Sequence, residues 1–172
     1  MSSLLPGLDQ RALLYLGALA LCLWLLNQAR RWLWFFSLLA LPGTFCHELC
    51  HWLTGKLLNG QPIGFTVIPR REGKGLVLGS VRCAHLRWYN AFFIGAAPLV
   101  LLPLAFLLLR WRLALRPAMG WGEALGIYLL ANLVFGAIPS GQDLRVATRS
   151  PIGWLLLGAA GVCVWMRCTG RI

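Results

Sequence analysis

Residues 35–53 read FFSLLALPGTFCHELCHWL, and inside this apolar run stand His47, Glu48 and His51. Ionisable side chains are expensive in such surroundings and mark function by default. Only three His and five acidic residues occur among the 172 positions, and three of these eight lie between His47 and His51. Residues four apart share one face of a helix, so His47 and His51 can turn both imidazoles toward one metal ion. Glu48 lies one step round the helix, within reach of a water held there. This is the H-E-x-x-H spacing, in which two His act as zinc ligands and the Glu as general base.

The chain around this run is 59% hydrophobic with a mean hydropathy of +0.70, only 12% charged, and carries nine Trp. These values lie outside the soluble globular range. The expected class is an all-α polytopic membrane protein, with the Trp residues at the bilayer interfaces. Lys and Arg number 16 against five acidic residues, a net charge of +11. The basic residues fall between apolar runs, where they read as topology signals and contacts to lipid headgroups, not as a nucleic-acid footprint. Six Cys without a C-x-x-C pair suggest packed thiols and no disulfide framework. The first apolar run ends in LNQARR without a small-residue cleavage site, so it reads as a retained anchor.

Taken in order, the chain shows one membrane domain over 1–172 with five apolar segments, at about 12–29, 32–58, 91–109, 123–139 and 151–167. Pro42-Gly43 predicts a break in the second segment, with Thr44 placed to cap the piece that carries the motif. From His47 to Lys56 is nine residues, roughly 13 Å of helix, which sets the motif inside the membrane near the exit of its segment. Between the second and third segments, GFTVI and GLVLGSV flank the turn RREGK and predict a small β-hairpin within 61–83, with one edge open beside the motif helix. Small residues and Pro98 in the third segment suit close helix approach. After the fourth comes a polar stretch, SGQDLRVATRS. With alternating sides, the N-terminus, the hairpin and this stretch share a face holding nine Lys and Arg, against seven opposite. Six of the nine lie from Lys56 at the exit of segment two to Arg87 before segment three, which favours the cytoplasmic side.

A catalytic zinc site takes a third protein ligand and keeps one position open. Asp143 lies at the exit of segment four, two crossings after the motif and on the same face, just after Pro139-Ser140-Gly141. Glu123 is the rival, but it enters the membrane on the opposite side. His85 is a candidate for substrate binding, set against an interfacial role among Arg82, Arg87 and Trp88. Cys46 and Cys50 flank the ligands and read as packing.

An H-E-x-x-H helix, a β-like region after it, an apolar helix opening with GAAP, and an Asn…Pro…Asp stretch in a later helix together resemble the site-2 protease family of intramembrane zinc metalloproteases over about residues 34–147. The resemblance implies one zinc ion per chain held by His47, His51 and Asp143, with Glu48 catalytic. It also implies Asn132 as a substrate-binding residue and a transmembrane segment of another protein as substrate. Leu144 stands where the family pattern has Gly, and Asn132 precedes Asp143 by eleven residues, about one turn more than usual. No PDZ or CBS sequence occurs. The compact form suggests a bacterial inner membrane, with the active site toward the cytoplasm. The competing expectation is a non-catalytic membrane binding protein, or pseudoprotease, that keeps the site for structure or for gripping a client helix.

Overall fold

A computed structural model describes residues 10–72, 75–115 and 120–169. The chain is mostly helical. Helix α1 (Gln10–Ala29) is followed by α2 (Leu33–Leu39) and α3 (Leu41–Leu57), then by four short strands, β1 (Pro62–Thr66), β2 (Arg70–Glu72), β3 (Gly75–Val77) and β4 (Ser80–Cys83). After them come α4 (Ala91–Ala96), a 3₁₀ turn (Ala97–Val100), α5 (Leu101–Leu115), α6 (Trp121–Gly136), α7 (Gly141–Ala147) and α8 (Pro151–Cys168).

Three stretches, Ala12–Ala29, Ala91–Leu115 and Pro151–Cys168, are helices long and apolar enough to cross a membrane. The count rises to five if each of two bent pairs is one span, α2 with α3 at 70° and α6 with α7 at 49°. Much of their apolar surface is not covered by protein. Trp154, Leu155 and Trp165 of α8, Leu102, Leu104 and Phe106 of α5, and Leu13, Leu21 and Trp24 of α1 all point outward. The buried core is correspondingly small, with Tyr15, Leu19 and Leu26 of α1 packed against Ala105 of α5 and Ile127, Leu130 and Ala131 of α6. Helix α6 is the central post, touching α1, α3 and α5.

The second segment breaks at Ala40, not at Pro42-Gly43, and Thr44 does not cap it. Proline is tolerated in a first helical turn, where its missing N–H would have no partner anyway. Pro42 therefore sits in the first turn of α3, and Thr44 is buried one turn in with its N–H donated to Ala40 O. The third segment runs on to Leu115, six residues past the expected end, because Arg112 finds an ionic partner in Glu123 of α6. The fourth spans Trp121–Gly136 in place of 123–139. The polar stretch after it is not loop throughout, since Ser140 nucleates α7 with a capping box: its hydroxyl accepts from Asp143 N while Asp143 Oδ2 accepts from Ser140 N.

The hairpin is present but divided. An outer ladder pairs β1 with β4 and an inner one pairs β2 with β3, both antiparallel. It folds back along α3, with Phe65 edge-on to Phe45 at 5.8 Å near the start of that helix and Pro62 and Cys83 against Gly55 near its end. At its exit, the fully buried Asn90 accepts from Arg87 N and donates to Leu58 O and His85 O, which ties the chain after β4 to the end of α3.

Candidate metal centre

Two glycine crossings build this site. At the first, α3 meets α6 so closely that a Cβ on Gly136 would stand 2.5 Å from Gly43 O, and one on Gly43 would strike Asn132 O. Only glycine lets two helix backbones approach in this way. The approach brings Gly136 O to 2.6 Å from Nδ1 of His47. At the second, α4 meets α7, where a Cβ on Gly95 would lie 2.5 Å from Asp143 O and 2.8 Å from Ala147 N. Ile94, next to Gly95, then presents its carbonyl 2.7 Å from Nδ1 of His51. The same two contacts that pack the helices thus orient both imidazoles and deliver Asp143.

The hydrogen bonds assign the tautomers. A backbone carbonyl only accepts, so each Nδ1 carries the ring hydrogen and each Nε2 of a neutral ring presents a lone pair. The two Nε2 atoms face each other at 3.1 Å. Asp143 Oδ2 is 3.3 Å from His47 Nε2, and Oδ1 is 3.0 Å from His51 Nε2. Two lone pairs and a carboxylate pointed at one spot repel each other unless a cation sits among them. His47, His51 and Asp143 lie close enough to hold a metal ion, and their carbonyl-anchored imidazoles have the outer-shell support that metal-binding His usually have.

No protein-family model, curated protein or solved structure matches this chain. The site is therefore described by its own geometry.

Glu48 is 6% exposed and lines the same cavity, of about 640 Å³, as the three candidate ligands. One wall of the cavity is the hairpin, through Leu78, Gly79 and all of β4. Among the described residues strand β4 has β1 as its one ladder partner, and on its other edge the Val81 amide meets the Glu48 carboxylate. The opposite wall is apolar, with Phe135, Ile138 and Val146 from α6, the bend and α7.

The remaining sequence candidates lie elsewhere. Asn132 is buried beneath the first crossing, its Oδ1 accepting from Gly43 N at 3.2 Å and its Nδ2 donating to Tyr128 O at 3.0 Å, and it does not line the cavity. Its Oδ1 joins α3 to α6, and its Nδ2 is engaged within α6. His85 is exposed beyond the end of β4 and is also outside the cavity lining. Glu123, the rival ligand, is buried at the opposite end of α6 against Arg112. Sequence reasoning missed the carbonyls of Gly136 and Ile94 and the roles of Gly43, Gly79 and Gly95. The only hint was the small-residue content of GAAP, which announces a close approach without saying to what.

Proposed function

We propose that this chain is a multi-pass membrane protein and an intramembrane zinc endopeptidase of the site-2 protease kind. The observation that carries the reading is the convergence of His47 Nε2, His51 Nε2 and the Asp143 carboxylate in one cavity with the buried carboxylate of Glu48, among helices whose apolar surface faces outward. Zinc is supported by the donor set of two imidazoles and one carboxylate. Tetrahedral ligands about 2.0–2.1 Å from zinc stand about 3.3 Å apart, and the three separations here are 3.0, 3.1 and 3.3 Å.

Zinc at this site would supply a Lewis acid that polarises a peptide carbonyl and acidifies water. Glu48 accepts the proton of the attacking water on a carboxylate oxygen and delivers it to the nitrogen of the leaving amine as the peptide C–N bond breaks. The carbonyls of Gly136 and Ile94 hold both imidazoles in the Nδ1–H form throughout. The substrate is a transmembrane segment of another protein, unwound locally because a helical peptide bond is shielded. The cavity-facing edge of β4 is suited to receive it as an added strand beside Glu48, with main-chain hydrogen bonds supplying the hold. The apolar wall of Phe135, Ile138 and Val146 matches the apolar side chains of such a segment. We place the hairpin face in the cytoplasm of a bacterial cell, on the loop charges.

The test is cleavage by the purified, zinc-loaded full chain of a panel of single-span membrane proteins in detergent, beside Glu48→Gln. Expected is hydrolysis that needs both the metal and Glu48. Cleavage that persists in Glu48→Gln with metal still bound would overturn the assignment. Bound metal without hydrolysis of any panel member would favour a client-gripping protein.

A further inference from the structure

The corner Leu78-Gly79 joins the inner and outer ladders of the hairpin and is the point at which it meets the motif helix beside Glu48. A Cβ on Gly79 would lie 2.8 Å from Glu48 Cγ, 2.8 Å from Glu48 Oε1 and 2.8 Å from Thr66 O, separations that real Cβ atoms essentially never show. The backbone there is not in the left-handed region, so the demand for glycine is one of space and not of dihedral freedom. Thr66 O belongs to β1, which is held in register opposite Ser80. Of the two neighbours, the Glu48 side chain is the one that can swing away at low cost.

We infer that Gly79 is a positioning residue for Glu48: the hairpin corner, bare of side chain, is the wall that holds the carboxylate beside His47, His51 and Asp143. The role rests on reading Glu48 as the general base, whereas the contact itself does not. It also gives the hairpin a second duty. The strand that lines the cavity begins one residue after the corner, and its Val81 amide meets the Glu48 carboxylate, so a chain laid along β4 is registered against Glu48. Filling the corner displaces the base and leaves the metal ligands in place, because none of the three is among the closest neighbours of position 79.

The test is a double-mutant cycle on the full chain with Gly79→Ala and Glu48→Ala, read by thermal melting in detergent, by bound zinc and by cleavage kinetics. Gly79→Ala is expected to keep one zinc per chain and to lower kcat by about 100-fold, the penalty of a misplaced catalytic group, with KM little changed. Its melting temperature falls more in the wild-type background than in the Glu48→Ala background, where the crowded side chain is gone and only the contact with Thr66 O remains. Should Gly79→Ala fail to fold, the double variant is still expected to fold and to melt below Glu48→Ala by no more than the Thr66 O contact costs. Equal losses of melting temperature in both backgrounds would overturn the inference, since Thr66 O alone would then explain the glycine. An unchanged kcat in Gly79→Ala would overturn it as well. If the wild type cleaves nothing, the peptidase reading fails while the melting cycle still decides the contact.

Discussion

At the residue scale, each ionisable group of the centre has a separable task. In the proposed reaction Glu48 acts on the attacking water and stands outside the group of His47, His51 and Asp143, so Glu48→Gln should retain bound zinc and lose roughly 100- to 10,000-fold in cleavage rate, the usual contribution of a positioned general base. Asp143→Ala removes the proposed third ligand and leaves two imidazoles, so metal analysis of the purified variant should show zinc lost or reduced well below one per chain. Glu123→Ala should leave the zinc content untouched, because Glu123 faces Arg112 at the far end of α6. A zinc loss in Glu123→Ala with retention in Asp143→Ala would reverse the choice of third ligand. Asn132 belongs with the structural residues. Removing its side chain leaves Gly43 N–H without its acceptor at a buried crossing, a cost of about 1–3 kcal/mol.

At the element scale, the ligands are only as well placed as the two helix crossings. Gly136→Ala puts a methyl 2.5 Å from Gly43 O, so α3 and α6 must part and Gly136 O must withdraw from His47. Loss of such outer-shell support typically weakens metal binding by about 10- to 100-fold, which a competition titration against a chelator would measure. The α5–α6 contact answers to a different force. Glu123 is 4% exposed and the Arg112 side chain 25%, so the arginine can turn toward water when its partner goes, whereas the carboxylate cannot. Arg112→Ala should therefore destabilise by about 3–5 kcal/mol, the cost of a stranded buried charge, and Glu123→Ala by less. Replacing both by Leu should come close to neutral, since a buried ion pair contributes little beyond its own desolvation. Denaturant melts of the three variants check this order, with zinc content expected to stay constant.

At the scale of the whole molecule, the outward-facing apolar helices and the two bent pairs predict five crossings. Cysteine labelling from either side of sealed vesicles should find the N-terminus, the hairpin tip near residue 71 and the turn near residue 149 on one side, and residues near 31 and the C-terminus on the other. Three crossings would put these sites in a different order and would separate the bent pairs from the membrane. Metal should also bind the folded chain and not the unfolded one, because the third ligand and both carbonyls come from elements distant in sequence. Zinc at about 100 times its dissociation constant then contributes about 2.7 kcal/mol of stability, and stripping it with a chelator should lower the melting temperature accordingly.

Composition and spacing, read one segment at a time, determined a good deal. Apolar length marked the five segments, β-forming residues around the turn RREGK marked a hairpin, and helical spacing put His47 and His51 on one face, since these properties depend only on near neighbours. Asp143 was legible because the chain has few acidic residues and a break before this one. Boundaries were not, because Pro42 is harmless in a first turn and Ser140 caps a helix that its polar neighbours disguise. Tertiary structure alone decided which glycine meets which backbone, that Asn132 joins helices away from the cavity, and that two main-chain carbonyls orient the imidazoles. A glycine's part depends on what lies across the gap it leaves open, and a carbonyl is present in every residue, so neither has a signature along the chain. The H-E-x-x-H spacing points to the proposed chemistry, and the crossings of α3 with α6 and of α4 with α7 bring its residues together.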